Sequence, residues 1–233
     1  MGAADHPRAW RLTRRAALLG LTATGLSACI KSDNVLLRHV QLLTGTFKVN
    51  KGLTREDVAK FQAASIAARF GGGQEVLILL QRVEGRNLYW LSTDRVMLVT
   101  RGGRLVQTAG FPNDLAHTSF IGPDPVDRGL LRAHGQMSVR QLDYDDFGLA
   151  LFATSKYRVV KKDPIRIIGA TIPTVRVTEK VRMRSLKWHY TNTYWVHEET
   201  GVVWQSRQRF HPDHPALTIT TMRPVREDVG AGA

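Results

Sequence analysis

Val96-Met97-Leu98-Val99-Thr100-Arg101-Gly102-Gly103-Arg104-Leu105-Val106-Gln107-Thr108 is two short β-rich runs separated by a glycine pair. Glycine takes positive φ at little steric cost, which a tight hairpin turn demands, so the stretch predicts two antiparallel neighbours. Residues 76–80 and 87–91 upstream are runs of the same kind, each bounded by turn residues. Downstream, residues 158–161, 174–183, 186–190, 194–197, 202–205 and 217–222 continue the pattern, and Glu199-Thr200-Gly201 makes a second hairpin turn. Val175, Val177 and Val181 alternate imperfectly with Arg176, Thr178 and Lys180, as in a sheet with one wet face. The chain is therefore predicted to be mainly β: an antiparallel meander forming a curved sheet, a sandwich or a half-barrel.

Two segments stand outside the meander. Thr54-Arg55-Glu56-Asp57 opens a helical signal, with Thr54 as N-cap and acidic Glu56 and Asp57 at the positive end of the dipole. Val58, Phe61, Ala64 or Ser65 and Ala68 recur at helical spacing until Gly71-Gly72-Gly73, which predicts one packed helix over residues 55–70. Residues 111–147 hold Pro112, Pro123, Pro125, Gly122, Gly129 and Gly135 with little periodicity, and read as a long connection or covering flap between two halves of the meander.

The amino terminus reads as an address. Arg8, Arg11, Arg14 and Arg15 precede an uncharged stretch from Ala16 to Ala28, which at 13 residues is too short to span a bilayer and has the layout of an export signal. Leu26-Ser27-Ala28-Cys29 resembles a bacterial lipobox, in which the cysteine sulfur is acylated and becomes the mature N-terminus. Arg14 and Arg15, within Thr13-Arg14-Arg15-Ala16-Ala17-Leu18, also resemble a twin-arginine signal. Ile30 stands where an Asp would resemble an inner-membrane retention signal, so delivery to the periplasmic face of an outer membrane is expected. The expected organisation is a signal over 1–28, a tether over 29–50, one β-rich domain over 51–224 and an aperiodic tail over 225–233.

Composition limits the function. The 233 residues are 43% hydrophobic and 23% charged, which excludes disorder, collagen and a polytopic membrane protein. A single cysteine excludes an internal disulfide and a cysteine-based zinc cage. The formal charge of +13 falls to +10 once the signal's four arginines and Asp5 are removed. In an exported chain that excess faces anionic lipid or acidic polysaccharide rather than nucleic acid.

Chemistry-bearing motifs are few: there is no P-loop, no Gly-x-Ser-x-Gly and no His-Glu-x-x-His. Asp143, Asp145 and Asp146 form an acidic run that would serve a hydrolase only by converging with another carboxylate across a cleft. His211-Pro212-Asp213-His214 holds three potential ligands, but two flanking prolines describe an extended turn, so no metal and no cofactor are expected. Tyr89 and Trp90, like Tyr194 and Trp195, must point to opposite sheet faces, one of each pair toward the core. Arg101, Arg104, Arg182, Arg184, Arg207 and Arg209 lie on or beside predicted strands, where residues two apart share a face suited to carboxylates of an acidic glycan or to a partner protein.

Two segments resemble a known family. Tyr89-Trp90-Leu91-Ser92-Thr93-Asp94 with Val99 to Phe111 is similar to the Trp, Ser-x-Asp and Gly-Arg-x-x-x-Thr-x-Gly-Leu pattern of the YjbF/GfcB-like lipoproteins of group 4 capsule and exopolysaccharide operons, Phe111 standing for the usual Leu. Asn192-Thr193-Tyr194-Trp195-Val196 with Thr200 to Gln208 carries the second match, and Phe70-Gly71 and the lipobox fit as well. The resemblance implies one mostly-β lipoprotein domain with a packed helix, and a role in making or exporting extracellular polysaccharide beside outer-membrane and periplasmic partners. It carries over no catalytic residue, only the lipidation cysteine, onto Cys29. The expected function is a non-enzymatic accessory lipoprotein, against the alternatives of a lipid carrier on a curved sheet and a polysaccharide hydrolase.

Overall fold

The computed structural model describes residues 53–92 and 94–225. Thr54 and Asp57 cap a short helix reciprocally: the Asp57 amide donates to Thr54 Oγ1 (3.2 Å) and the Thr54 amide to Asp57 Oδ2 (3.1 Å). That helix, α1 (Arg55–Ala59), is a single turn or so rather than the four expected. The residues expected to prolong it form β1 (Ser65–Phe70), flanked on both edges by other strands. Ser65, Ile66, Ala67 and Ala68 are all buried there, and two ladders with burial on both faces outweigh the helix preference of the alanines.

The strands that follow are β2 (Val76–Glu84), β3 (Asn87–Leu91), β4 (Met97–Arg101), β5 (Arg104–Ala109), β6 (Leu115–Ile121), β7 (Met137–Tyr144) and β8 (Leu151–Lys162). After them come β9 (Ile165–Ile167), β10 (Ala170–Ile172), β11 (Thr174–Met183), β12 (Trp188–His197), β13 (Val203–Gln208) and β14 (Leu217–Arg223). Twelve strands make one sheet in the order β5-β4-β3-β2-β1-β14-β13-β12-β11-β8-β7-β6, and β9 pairs with β10 separately. The mainly-β antiparallel expectation holds, in the form of a curved, nearly closed sheet.

The edge strands β5 and β6 lie against each other at the seam. Side chains join them: Thr118 Oγ1 donates to the Val106 carbonyl (2.7 Å), the Leu115 amide to Thr108 Oγ1 (2.9 Å), and Thr108 Oγ1 to Asp114 Oδ1 (2.7 Å). Asp114 Oδ2 also accepts the amides of Gly110 (2.8 Å) and Phe111 (3.1 Å), so one buried carboxylate fixes the turn that brings β6 back to β5.

Residues 111–147 are not the flap expected from their prolines and glycines, since β6 and β7 belong to the main sheet. The segment between those strands leaves the sheet and, through a 3-10 turn (Leu130–Arg132), packs Val126, Leu130 and Ala133 on Tyr157, Val177, Tyr194 and Val196. Residues 186–197 are likewise not two strands: β12 runs unbroken from Trp188. The Gly102–Gly103 turn has φ of 56° and 84°, and a Cβ on Gly103 would lie 2.5 Å from the Val203 side chain of β13. The hairpin therefore needs glycine both for its backbone and for its approach to β13.

Candidate functional site

The enclosed face of the sheet carries a charged layer. On β11 the inward positions are Val177, Glu179, Val181 and Met183, so the imperfect alternation of that strand is a buried glutamate. Glu179 is 0% exposed and Arg104, on β5, only 2%. Glu179 Oε1 accepts from Arg140 Nη1 (2.6 Å), Ser155 Oγ (2.7 Å), Arg104 Nη2 (3.1 Å) and Tyr157 OH (3.2 Å). Its Oε2 accepts from Tyr194 OH (2.8 Å) and Asn192 Nδ2 (3.0 Å). Arg104 also pairs with Asp124 and donates to Tyr157 OH, so two arginines balance two carboxylates.

Burial alone would raise the Glu179 pKa, but the charges of Arg104 and Arg140 and the bonds from Ser155 and Asn192 hold it well below the carboxylate range. Burial, then the Glu179 charge, pushes Tyr157 up to about 12, which keeps its hydroxyl protonated as a donor. Gln208 extends the layer to the seam hairpin, accepting the Leu105 amide (3.0 Å) and donating to the Gly103 carbonyl (2.8 Å). The remaining space beside Arg104, Arg140, Asn192 and Gln208 is about 10 Å³, so this centre is packed rather than hollow.

Beyond the charged layer the interior is uneven. Beside Trp90, whose indole donates to Thr100 Oγ1 (2.8 Å), a mouth of about 410 Å³ is lined by Ile66, Leu88, Val126 and Val203, with Arg86 and Asp127 among its polar residues. In an aromatic cluster elsewhere in the core, the rings of Phe70, Phe111, Phe210 and His214 lie 5.0–6.1 Å apart, mostly edge-on or tilted, with Phe210 and His214 stacked. There His211 Nδ1 accepts the Asp213 amide (3.2 Å), which leaves Nε2 to donate to Asp146 (3.1 Å). His214 Nε2 donates to the Pro112 carbonyl (2.8 Å), and burial lowers its pKa, so it is a neutral packing group. Among the described residues no three histidines, cysteines or acids gather as metal ligands.

The residues singled out from sequence are dispersed. Of the six arginines, Arg182, Arg184 and Arg207 are exposed on strands or the turn after β11. Arg104 departs from the surface expectation because it is part of the buried layer. Arg101 is half-buried and pairs with Asp127, and Arg209 donates to the carbonyls of Pro212 (2.9 Å) and His214 (3.3 Å). Asp143 is bonded to Gln141, Asp145 is exposed, and Asp146 holds His211, so the three acids do not converge. Tyr194 and Trp90 are buried while Trp195 and Tyr89 are half-buried, as opposite faces require. Arg14, Arg15, Leu26, Ser27, Ala28 and Cys29 lie outside the described residues.

Sequence reasoning missed Glu179, Arg140, Asp124 and Tyr157, although Glu179 interrupts an otherwise apolar inward series of Val177, Val181 and Met183. The nearly closed twelve-stranded antiparallel sheet is a mainly-β fold, found also in the crystal structure of the hypothetical lipoprotein YmcC from Escherichia coli K12. That likeness has a TM-score of 0.68 at 24% identity, covering 76% of this chain and 92% of that one. The chain belongs to the family described as group 4 capsule polysaccharide lipoprotein GfcB, YjbF, whose model matches residues 39–222. It is 26% identical over 219 residues to the uncharacterized lipoprotein GfcB of E. coli K12, covering 91% of this chain and 99% of that protein. It is 24% identical over 177 residues to the uncharacterized lipoprotein YjbF of the same strain, covering 75% and 82%.

Proposed function

We propose that the protein is a non-enzymatic accessory factor in exopolysaccharide or capsule production and export, anchored by lipid on Cys29 at the periplasmic face of the outer membrane. The observation that carries this reading is the family match over residues 39–222, to lipoproteins described by their capsule polysaccharide. The packed centre supports the non-enzymatic part: its acid, Glu179, is ionised, enclosed and bonded on both oxygens. Asp143, Asp145 and Asp146 share no cleft with it. Contact with acidic polymer or with an export protein falls to the exposed arginines Arg182, Arg184 and Arg207.

Capture of the lipidated protein from its native envelope, washed at low and raised salt, tests the reading. Acidic glycan released by salt, or a salt-resistant export protein, is the expected co-purifying species. Replacing Asp143, Asp145 and Asp146 together by Asn should leave the amount and chain length of exported polymer unchanged. A change in chain length at normal protein level would instead make this an enzyme.

A carrier of small hydrophobic ligands is the second reading, supported by the mouth beside Trp90. At about 410 Å³ it falls within the usual size of a ligand pocket. Mass spectrometry of organic extracts from the native protein tests it, an absence of stoichiometric lipid deciding against it.

A further inference from the structure

The outward face of β6, β7, β8 and β11 combines two properties, of which the accessory role uses only the charge of Arg182. Of seven large hydrophobic side chains exposed among the described residues, five fall between residues 121 and 160. Three of them, Ile121 (53% exposed), Met137 (62%) and Phe152 (52%), stand on neighbouring strands and share the outer face. The ladders locate them: Ile121 pairs with Val139, Gln141 with Phe152, and Met137 with Lys156. Four residues of strand separate Met137 from the rung of Phe152, so the apolar group spans about 13 Å.

Basic side chains continue the same rungs. Lys156 pairs with Lys180 and Thr154 with Arg182, while Arg158 follows two residues along β8. All four basic groups are exposed. The outward ion pairs of β8 and β11 lie beyond them, at Lys162–Glu198 and Arg176–Asp163. The nearest acid on the other side is Asp143, two positions past Gln141 and bonded to it.

We propose that this face lies on an anionic phospholipid surface, with Ile121, Met137 and Phe152 at the acyl boundary and Lys156, Lys180 and Arg182 on phosphates. Scattered apolar residues on a surface are ordinary, but a group of them bordered by unopposed cations matches what holds peripheral proteins at membrane interfaces. A hydrated polysaccharide offers nothing to the aliphatic chains of Ile121 and Met137, whereas both gain by leaving water beside lipid. The inference goes beyond the accessory role. It moves Arg182 from the polymer-contacting set to the membrane and leaves Arg207, two strands away on β13, facing elsewhere.

Cys29 is the chain's single cysteine, so the full-length chain carrying Cys29→Ser tests the face without the anchor and accepts one label elsewhere. With an added Met137→Cys bearing a polarity-sensitive dye, emission should shift to the blue on phosphatidylethanolamine–phosphatidylglycerol vesicles. It should not shift on phosphatidylcholine. The same dye at Thr218→Cys, on the outer face of β14, should stay unshifted. Unlabelled Cys29→Ser protein should float with the anionic vesicles, and Lys180→Glu with Arg182→Glu should weaken that binding roughly tenfold or more at unchanged thermal stability. Absence of binding to anionic vesicles overturns the proposal. So does an equal shift at both dye positions, or a Met137→Cys shift with polygalacturonate but not with vesicles.

Discussion

Glu179 is the residue on which most of the interior converges. Six side-chain bonds end on its two oxygens, from four different strands and both arginines. Breaking a buried ion pair by removing one partner costs far more than the pair contributes, because it leaves the other charge uncompensated. Glu179→Gln is therefore expected to lose about 3–5 kcal/mol in urea unfolding, with Arg140 stranded beside Arg104. The pH dependence follows from the lowered pKa. The folded-state value lies below the ordinary carboxylate value of 4.5, so the stabilisation is complete above that pH and disappears as pH falls through the folded value. The urea midpoint of the wild type should fall on acidification below about pH 4.5, and that of Glu179→Gln should fall less steeply.

Among the elements, the seam is where one substitution tells most. Asp114 is buried and accepts Thr108 Oγ1 and two backbone amides, and Thr108 in turn accepts the Leu115 amide. Asp114→Ala should destabilise the protein by about 2–3 kcal/mol, and hydrogen exchange should show β5 and β6 opening before the rest of the sheet. Short β-rich runs bounded by turn residues are legible in the amino-acid pattern: β3, β4, β5, β11, β13 and β14 fall close to their predicted spans, and β2 begins where predicted but continues to Glu84. Residues 65–70 read as helix because Ile66, Ala67 and Ala68 are buried on both faces of β1, which erases the two-residue period and leaves an alanine-rich run that imitates a helix. β7 is illegible for the opposite reason. Its inward residues begin with Ser138 and Arg140 and only then reach Leu142 and Tyr144, so polar groups occupy positions where a strand usually announces itself. The charged layer is hidden in the same way: Arg104 and Glu179 have the composition of surface residues, and only the strand register turns them inward. The capping box at Thr54 is legible because its bonds are local, and where the helix ends is not, because tertiary pairing decides it.

For the molecule as a whole, the proposed lipid tether at Cys29 is expected to act independently of folding. Replacing Cys29 by Ser should move the protein from the membrane pellet to the soluble fraction at raised salt, without altering its thermal midpoint. An unchanged pellet under those conditions would sink the tether. The pairing of β1 with β14, in which Phe70 meets Leu217, bears on another matter. The first strand of the sheet receives its second neighbour from the last, so a chain emerging amino-terminus first carries a bare strand edge until β14 has been made. Such edges recruit other chains, and distant pairings form slowly. The pairing of β14 thus sets the clock for the whole sheet, and any substitution that slows it lengthens the time for which β1 stands open to a foreign strand.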